Sequence, residues 1–212
     1  MLPFSSAEFL HVFERYNNAV WPAQVLIYLA GLIATAVAVQ PRRIGRKLIS
    51  FILAALWLWM GVVYHWIFFS AINKAALLFG ALFVVQSLIF FLAGLSNSSL
   101  TFEFRSRAPR VFGAVLVTYA LVGYPIIGIT FGHAYPAAPT FGVPCPTTIF
   151  TFGLLLAAGI RVRFYVLIIP ILWSVIGLSA TIYLGMYEDL GLVVSLPSAG
   201  WIVSKRNFFR ST

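Results

Sequence analysis

The predicted fold class is an all-helical integral membrane protein. It is a seven-helix bundle behind an N-terminal interfacial helix, in a layout that accommodates 3+1+3 parallel repeats. Three observations predict it. Of the 212 residues 61% are hydrophobic and only 9% charged, a balance that one water-soluble core could not hide. Apolar runs recur at the length of about 20 residues needed to cross a hydrocarbon layer of roughly 30 Å at about 1.5 Å per helical residue. The basic residues cluster in short stretches between those runs, while the runs themselves carry no Asp, Glu, Lys or Arg away from their ends.

The first element precedes the spans. In SSAEFLHVFERYNN, Ser5 is placed to cap a helix over 5–18, Glu8 completes a capping box three residues on, and Phe4 can staple onto Phe9. Phe9, Val12, Phe13 and Tyr16 share one face and Glu8, His11, Glu14 and Arg15 the other, which predicts an amphipathic helix at a membrane interface. The opening MLPFSSAEF has neither a basic n-region nor a small-residue cleavage site, so the first span is expected to stay in the mature protein.

Five spans follow from apolar content and length, over 19–39, 48–69, 75–95, 111–131 and 164–185. Two more segments, 146–160 and 190–203, would reach only about 20 to 23 Å as helices. Charge decides whether they cross. Arg42, Arg43, Arg46 and Lys47 follow the first span, Arg105, Arg107 and Arg110 the third, Arg161 and Arg163 the first short segment, and Lys205, Arg206 and Arg210 the second. If both short segments cross, twelve of the fourteen basic residues share one side, leaving Arg15 and Lys74 opposite. That is the positive-inside pattern of a bacterial inner-membrane protein with a periplasmic N-terminus and a cytoplasmic C-terminus. The formal net charge of +9 is therefore a topology signal, and no nucleic-acid motif accompanies it. The whole chain, 1–212, reads as a single transmembrane domain.

One internal echo stands out: Leu56-Trp57-x-x-x-Gly61 and Leu172-Trp173-x-x-x-Gly177 lie at similar distances after Lys47 and Arg163. With seven crossings, spans one to three and five to seven run in the same directions, one of the layouts from which transporters are built. In topology the chain resembles the SWEET and PQ-loop transporters. Pro22, Pro146 and Pro170 match the prolines of those half-bundles, Ala54 stands where a fourth would be, and the Pro-Gln pair is replaced by Pro22-Ala23-Gln24 and Pro146-Thr147. The opening MLPFSSAEFLHVFERYNNAVWPAQ and the full-length layout resemble a bacterial multi-pass membrane family of unknown function, a likeness that implies no activity.

The absence of charges within the spans weighs against a carboxylate-driven proton antiporter, a lysine Schiff-base pigment and an intramembrane aspartyl protease. Polar groups and helix breakers remain, and these suit a permease-like protein for a small neutral or weakly polar solute. The expected path residues are Pro22, Gln24, Trp57, His65, Gln86, Thr147, Trp173, Ser174 and Pro197, with the two tryptophans as facing walls. The same groups equally serve helix-to-helix hydrogen bonding. A second reading is an outer-face metal-binding or thiol-dependent membrane enzyme. The topology places His11, His65, His133 and Cys145 in one half of the bundle, but without HxxxH or CxxC spacing. A third is a structural subunit of a membrane assembly. An enzyme is the less favoured reading, no cofactor is implied, and Cys145, with no basic neighbour, suits a turn residue. The implied partners are the lipid bilayer and a small-molecule solute, not nucleic acid; whether the chain forms a homo-oligomer is open.

Overall fold

The computed structural model describes residues 3–39, 43–95, 100–102 and 107–203. Helix α1, Ser6–Val20, begins with the capping box legible in its sequence. The Ser5 side chain accepts from the Glu8 amide at 3.3 Å, and the Glu8 carboxylate accepts from the Ser5 amide at 2.8 Å. Phe4 stacks on Phe9 with ring centroids 5.6 Å apart, the staple that fixes the entering chain. Pro22 ends α1. A residue before proline is pushed out of the helical region, and Trp21 is extended at φ −62°, ψ 132°. Helix α2, Ala23–Val39, leaves at 91° to α1, so the span expected from residue 19 starts four residues later, past this corner.

Four helical stretches are long and apolar enough to cross a membrane: Gly45–Ala71, Ala76–Leu95, Arg107–Thr130 and Phe164–Leu184. The bent pair α1 and α2 makes a fifth if counted as one span. Within the first, helix α3 (Arg43–Trp59) passes into a π-helical stretch, Met60–Phe68, and a 3-10 turn, Phe69–Ala71. The second is α4, Ala76–Leu95. The third joins α5 (Arg107–Thr118), a π-helical stretch Tyr119–Gly123 and α6 (Tyr124–Thr130). The fourth joins a 3-10 turn, Phe164–Leu167, to α8 (Ile168–Leu184). Their outward faces carry large apolar side chains such as Leu26, Leu78, Leu92, Ile129 and Ile182, the surface a bilayer would solvate.

The two short segments behave differently from these. Helix α7, Pro144–Ala157, is buried on every side, including Thr147, Thr148 and Thr151, and forms the axis of the bundle. The segment after α8 is broken: α9, Leu190–Ser195, and α10, Ser198–Ile202, are separated at Pro197. The short antiparallel pair β1 (Leu100–Phe102) and β2 (Ile160–Val162) joins the loop after α4 to the end of α7, and Val203 bridges to Val162. Both short segments therefore run from the α1 end of the bundle to its β end. Arg42, Arg105, Lys205, Arg206 and Arg210 lie outside the described residues.

Glycines bring the central helices to backbone contact. A Cβ on Gly113 of α5 would stand 2.4 Å from the Ala157 nitrogen and 2.7 Å from the Gly153 oxygen of α7, and one on Gly61 would stand 2.8 Å from the Gly80 oxygen of α4. Close approach of this kind replaces the hydrophobic drive that lipid does not supply.

Candidate functional site

Helix α1 does not lie free on the surface of the bundle. Its apolar face is buried against the bundle: Phe13 stacks on Tyr64 at 5.7 Å, and Tyr16 accepts a hydrogen bond from the Trp59 indole at 2.7 Å. Beneath this helix is a cavity of about 120 Å³ between the ends of α4, α7, α8 and the first π-helical stretch. Eight of its twenty lining residues are aromatic, Phe9, Phe13, Tyr64, Phe69 and Trp173 among them. Its polar groups include Asp189, Tyr124 and Cys145.

Asp189 gets there because the chain turns back on itself after α8. Gly185 takes the left-handed conformation at φ 74°, the usual helix stop, and the 3-10 turn Tyr187–Asp189 folds beneath α6. The Tyr124 hydroxyl donates to one Asp189 carboxyl oxygen at 2.5 Å, and the Cys145 thiol lies against the same carboxyl. Neighbouring Glu188 is equally buried, takes a 2.8 Å hydrogen bond with His133 Nδ1, and its backbone carbonyl accepts from Tyr119 at 2.7 Å. Among the described residues no Lys or Arg pairs with Asp189. Burial therefore dominates: it raises the Asp189 carboxyl to about 7, with the adjacent Glu188 charge adding to the rise and the hydrogen bonds from Tyr124 and Cys145 opposing it. Both π-helical stretches border this region, one carrying Tyr64 and the other immediately preceding Tyr124. Such local unwinding is common at functional sites because it re-aims side chains.

Of the nine expected path residues, only Trp173 lines this cavity. Gln24 sits in a network that ties down the 133–140 loop, donating to Asn17 Oδ1 at 2.6 Å, while Asn17 donates to the carbonyls of Pro136 at 2.6 Å and Ala138 at 2.8 Å. Trp57 donates to Thr151 at 3.1 Å, Gln86 to the Val166 carbonyl at 3.0 Å and Ser174 to its own Pro170 carbonyl at 2.9 Å, while the Thr147 hydroxyl accepts from the Gly142 amide. These bonds tie helical segments to one another, to their own backbone or to a cap. Pro22 makes the corner before α2, and Pro197 separates α9 from α10. His65 is buried with Nδ1 2.9 Å from the Met60 carbonyl, which only accepts, so Nδ1 carries the proton; Nε2 has no partner. Trp57 and Trp173 do face a common ring, Phe83, at 4.6 and 5.0 Å.

The proposed metal set does not assemble. His11 is exposed and paired with Glu14 at 3.0 Å, His133 is bonded to Glu188, His65 is enclosed by Phe83 and Trp173, and Cys145 faces Asp189. No group of three or more His, Cys, Asp or Glu among the described residues is arranged to hold a metal ion. The residues that sequence reasoning underweighted are Asp189, Tyr64 and Tyr124. The signal for Asp189 is thin: an acidic pair three and four residues after a Gly helix stop and directly before an apolar segment, which reads equally as an exposed loop.

A family model described as a family of unknown function, DUF6064, matches residues 6–212. The chain belongs to that family. Neither the curated proteins nor the solved structures include a match, and no comparison ties a DUF6064 chain such as this one to the SWEET or PQ-loop transporters.

Proposed function

We propose that this protein is a multi-pass inner-membrane protein that binds a small solute beneath α1 and passes it between its helices, as a permease does. The observation that carries the reading is the aromatic cavity beneath the amphipathic helix α1, with a buried carboxyl group in its wall. Ligand sites are concave, mainly apolar and supplied with a few polar groups that fix orientation. Helix α1 joins the rest of the chain through the Trp21–Pro22 corner, which suits a lid. The solute in this reading has a small apolar body and one polar group directed at Asp189. The neutral or weakly polar solute expected from the sequence follows from spans that carry no charge; Glu188 and Asp189 lie between spans yet are buried, and Asp189 adds a polar anchor to the site.

Seven crossings with the N-terminus outside belong to the same proposal, supported by the two short segments that run the length of the bundle to the β pair. The test is binding and flux. The purified chain, assayed by thermal shift against a broad panel of small solutes and then by uptake in liposomes, should respond to at least one class. That response should be lost in Phe13→Ala, which opens the roof. If no solute shifts the melting temperature or enters the liposomes, the reading fails.

A further inference from the structure

The cavity's chemistry points to a charge type, an inference that rests on the solute-binding reading above. None of its lining residues is Lys, Arg or His, and Asp189 is the sole carboxyl group among them. The rings of Phe9, Phe13, Tyr64, Phe69, Phe79 and Trp173 surround the same space. Ring faces carry partial negative charge and attract cations, more strongly where water is excluded. An anion would meet both the rings and Asp189 unfavourably. A neutral apolar molecule would leave the carboxyl group without compensation whenever it ionises.

A further group selects for oxygen. The Trp173 indole N–H is buried, finds no oxygen to bond, and has only the Cys145 sulfur, a weak acceptor, for a partner. A ligand oxygen reaching the cavity wall that Trp173 and Cys145 form would be the stronger acceptor. The size is suitable: about 120 Å³ is somewhat less than the roughly 150 Å³ that takes a benzene ring, room for a methylated ammonium head or a short amine.

We propose that the cavity binds a small organic cation, an alkyl- or methylammonium compound with a nearby hydroxyl, its charge on the Asp189 carboxylate, its methyl groups against the aromatic rings and its oxygen at the Trp173 indole. The groups facing Asp189 are Tyr124 of α6, Cys145 of α7, Tyr64 of the first π-helical stretch, Tyr119 of the second, and Glu188, itself bonded to His133. The cation needs the ionised carboxylate. Binding therefore expels the proton that burial retains on Asp189, and acid and cation compete for one site. No bond to carbon is made or broken; one proton leaves to solvent as one cation enters.

The test uses a matched pair of probes, choline and its uncharged carbon analogue 3,3-dimethyl-1-butanol, titrated into the purified full-length chain by calorimetry. At pH 8 choline should bind about tenfold or more tightly than the analogue. Choline affinity should fall about tenfold between pH 8 and pH 6, while the analogue changes little. Asp189→Asn should abolish the preference for the cation; since the pH series needs only the unmodified chain, poor folding of that variant leaves the proposal testable. Equal or tighter binding of the analogue overturns the cation while leaving the solute cavity in place. Binding of neither probe also overturns it, and the broad panel then shows whether the cavity reading falls too. A choline affinity indifferent to pH assigns the charge recognition elsewhere and overturns the role of Asp189.

Discussion

Replacing Gly113 by alanine tests the axis on which the bundle is built. A Cβ there would lie 2.4 Å from the Ala157 nitrogen, 2.6 Å from the Leu156 Cβ and 2.7 Å from the Gly153 oxygen, all on α7. Two of the three are backbone atoms, and the third is a Cβ fixed to the backbone, so no side-chain rotation relieves the overlap. Ordinary contacts of this kind are about 3.5 to 4.0 Å, so α5 and α7 must separate by on the order of 1 Å. Alanine gains about 1 kcal/mol of helix propensity over glycine. Overpacking in a close-packed interior typically costs about 1 to 3 kcal/mol, and here the displaced element touches α2, α5, α9 and α10. The net expectation is a loss of up to about 2 kcal/mol against the unmodified chain, and of about 1 to 3 kcal/mol against a glycine-to-alanine change that meets no overlap. Unfolding in mixed micelles, titrated with a denaturing detergent and followed by tryptophan fluorescence, measures it. Gly200→Ala is the control, because nothing lies within 4 Å of a Cβ there. If the two variants unfold at the same detergent fraction, the α5–α7 contact does not hold the bundle together as argued.

Two further outcomes follow from groups described above. Asp189 binds its proton more tightly folded, near 7, than at its ordinary 3.8, so folding stability should be greatest below about pH 4, decline as pH rises to about 7 and level off above; Asp189→Asn should remove that part of the slope in a pH series of melts. Asn17→Ala removes the donor to Pro136 and Ala138 and the acceptor for Gln24, at a cost of about 1 to 3 kcal/mol, and the faster amide exchange should be confined to the loop between α6 and α7. Exchange spread evenly along the chain would contradict the local role.

What was legible in the sequence follows what length and periodicity can report. The runs over 48–69, 75–95 and 164–185 reappear as Gly45–Ala71, Ala76–Leu95 and Phe164–Leu184, since apolar content alone sets where a helix of that kind lies. The Ser5–Glu8 box was equally visible, because capping is a local bond between neighbours. The π-helical stretches were not, because a shift of backbone bonding by one residue leaves no mark on composition. In the sequence Asp189 falls between the apolar runs 164–185 and 190–203, a place where a carboxylate is ordinarily solvated. The fold instead turns it inward, where Tyr124 and Cys145, 65 and 44 residues upstream, hydrogen-bond its carboxyl group.

The burial of α7 has a consequence for biosynthesis. A segment emerging from an insertion machinery is offered first to lipid, and α7, with Thr147, Thr148 and Thr151 spread over its surface, is poorly suited to remain there alone. Helices α2 and α5 are made before it, but α9 and α10, which pack against it, come last. The core is therefore sheathed only when nearly the whole chain has been synthesised, and a ribosome halted before residue 190 would leave the axis of the bundle bare on that flank.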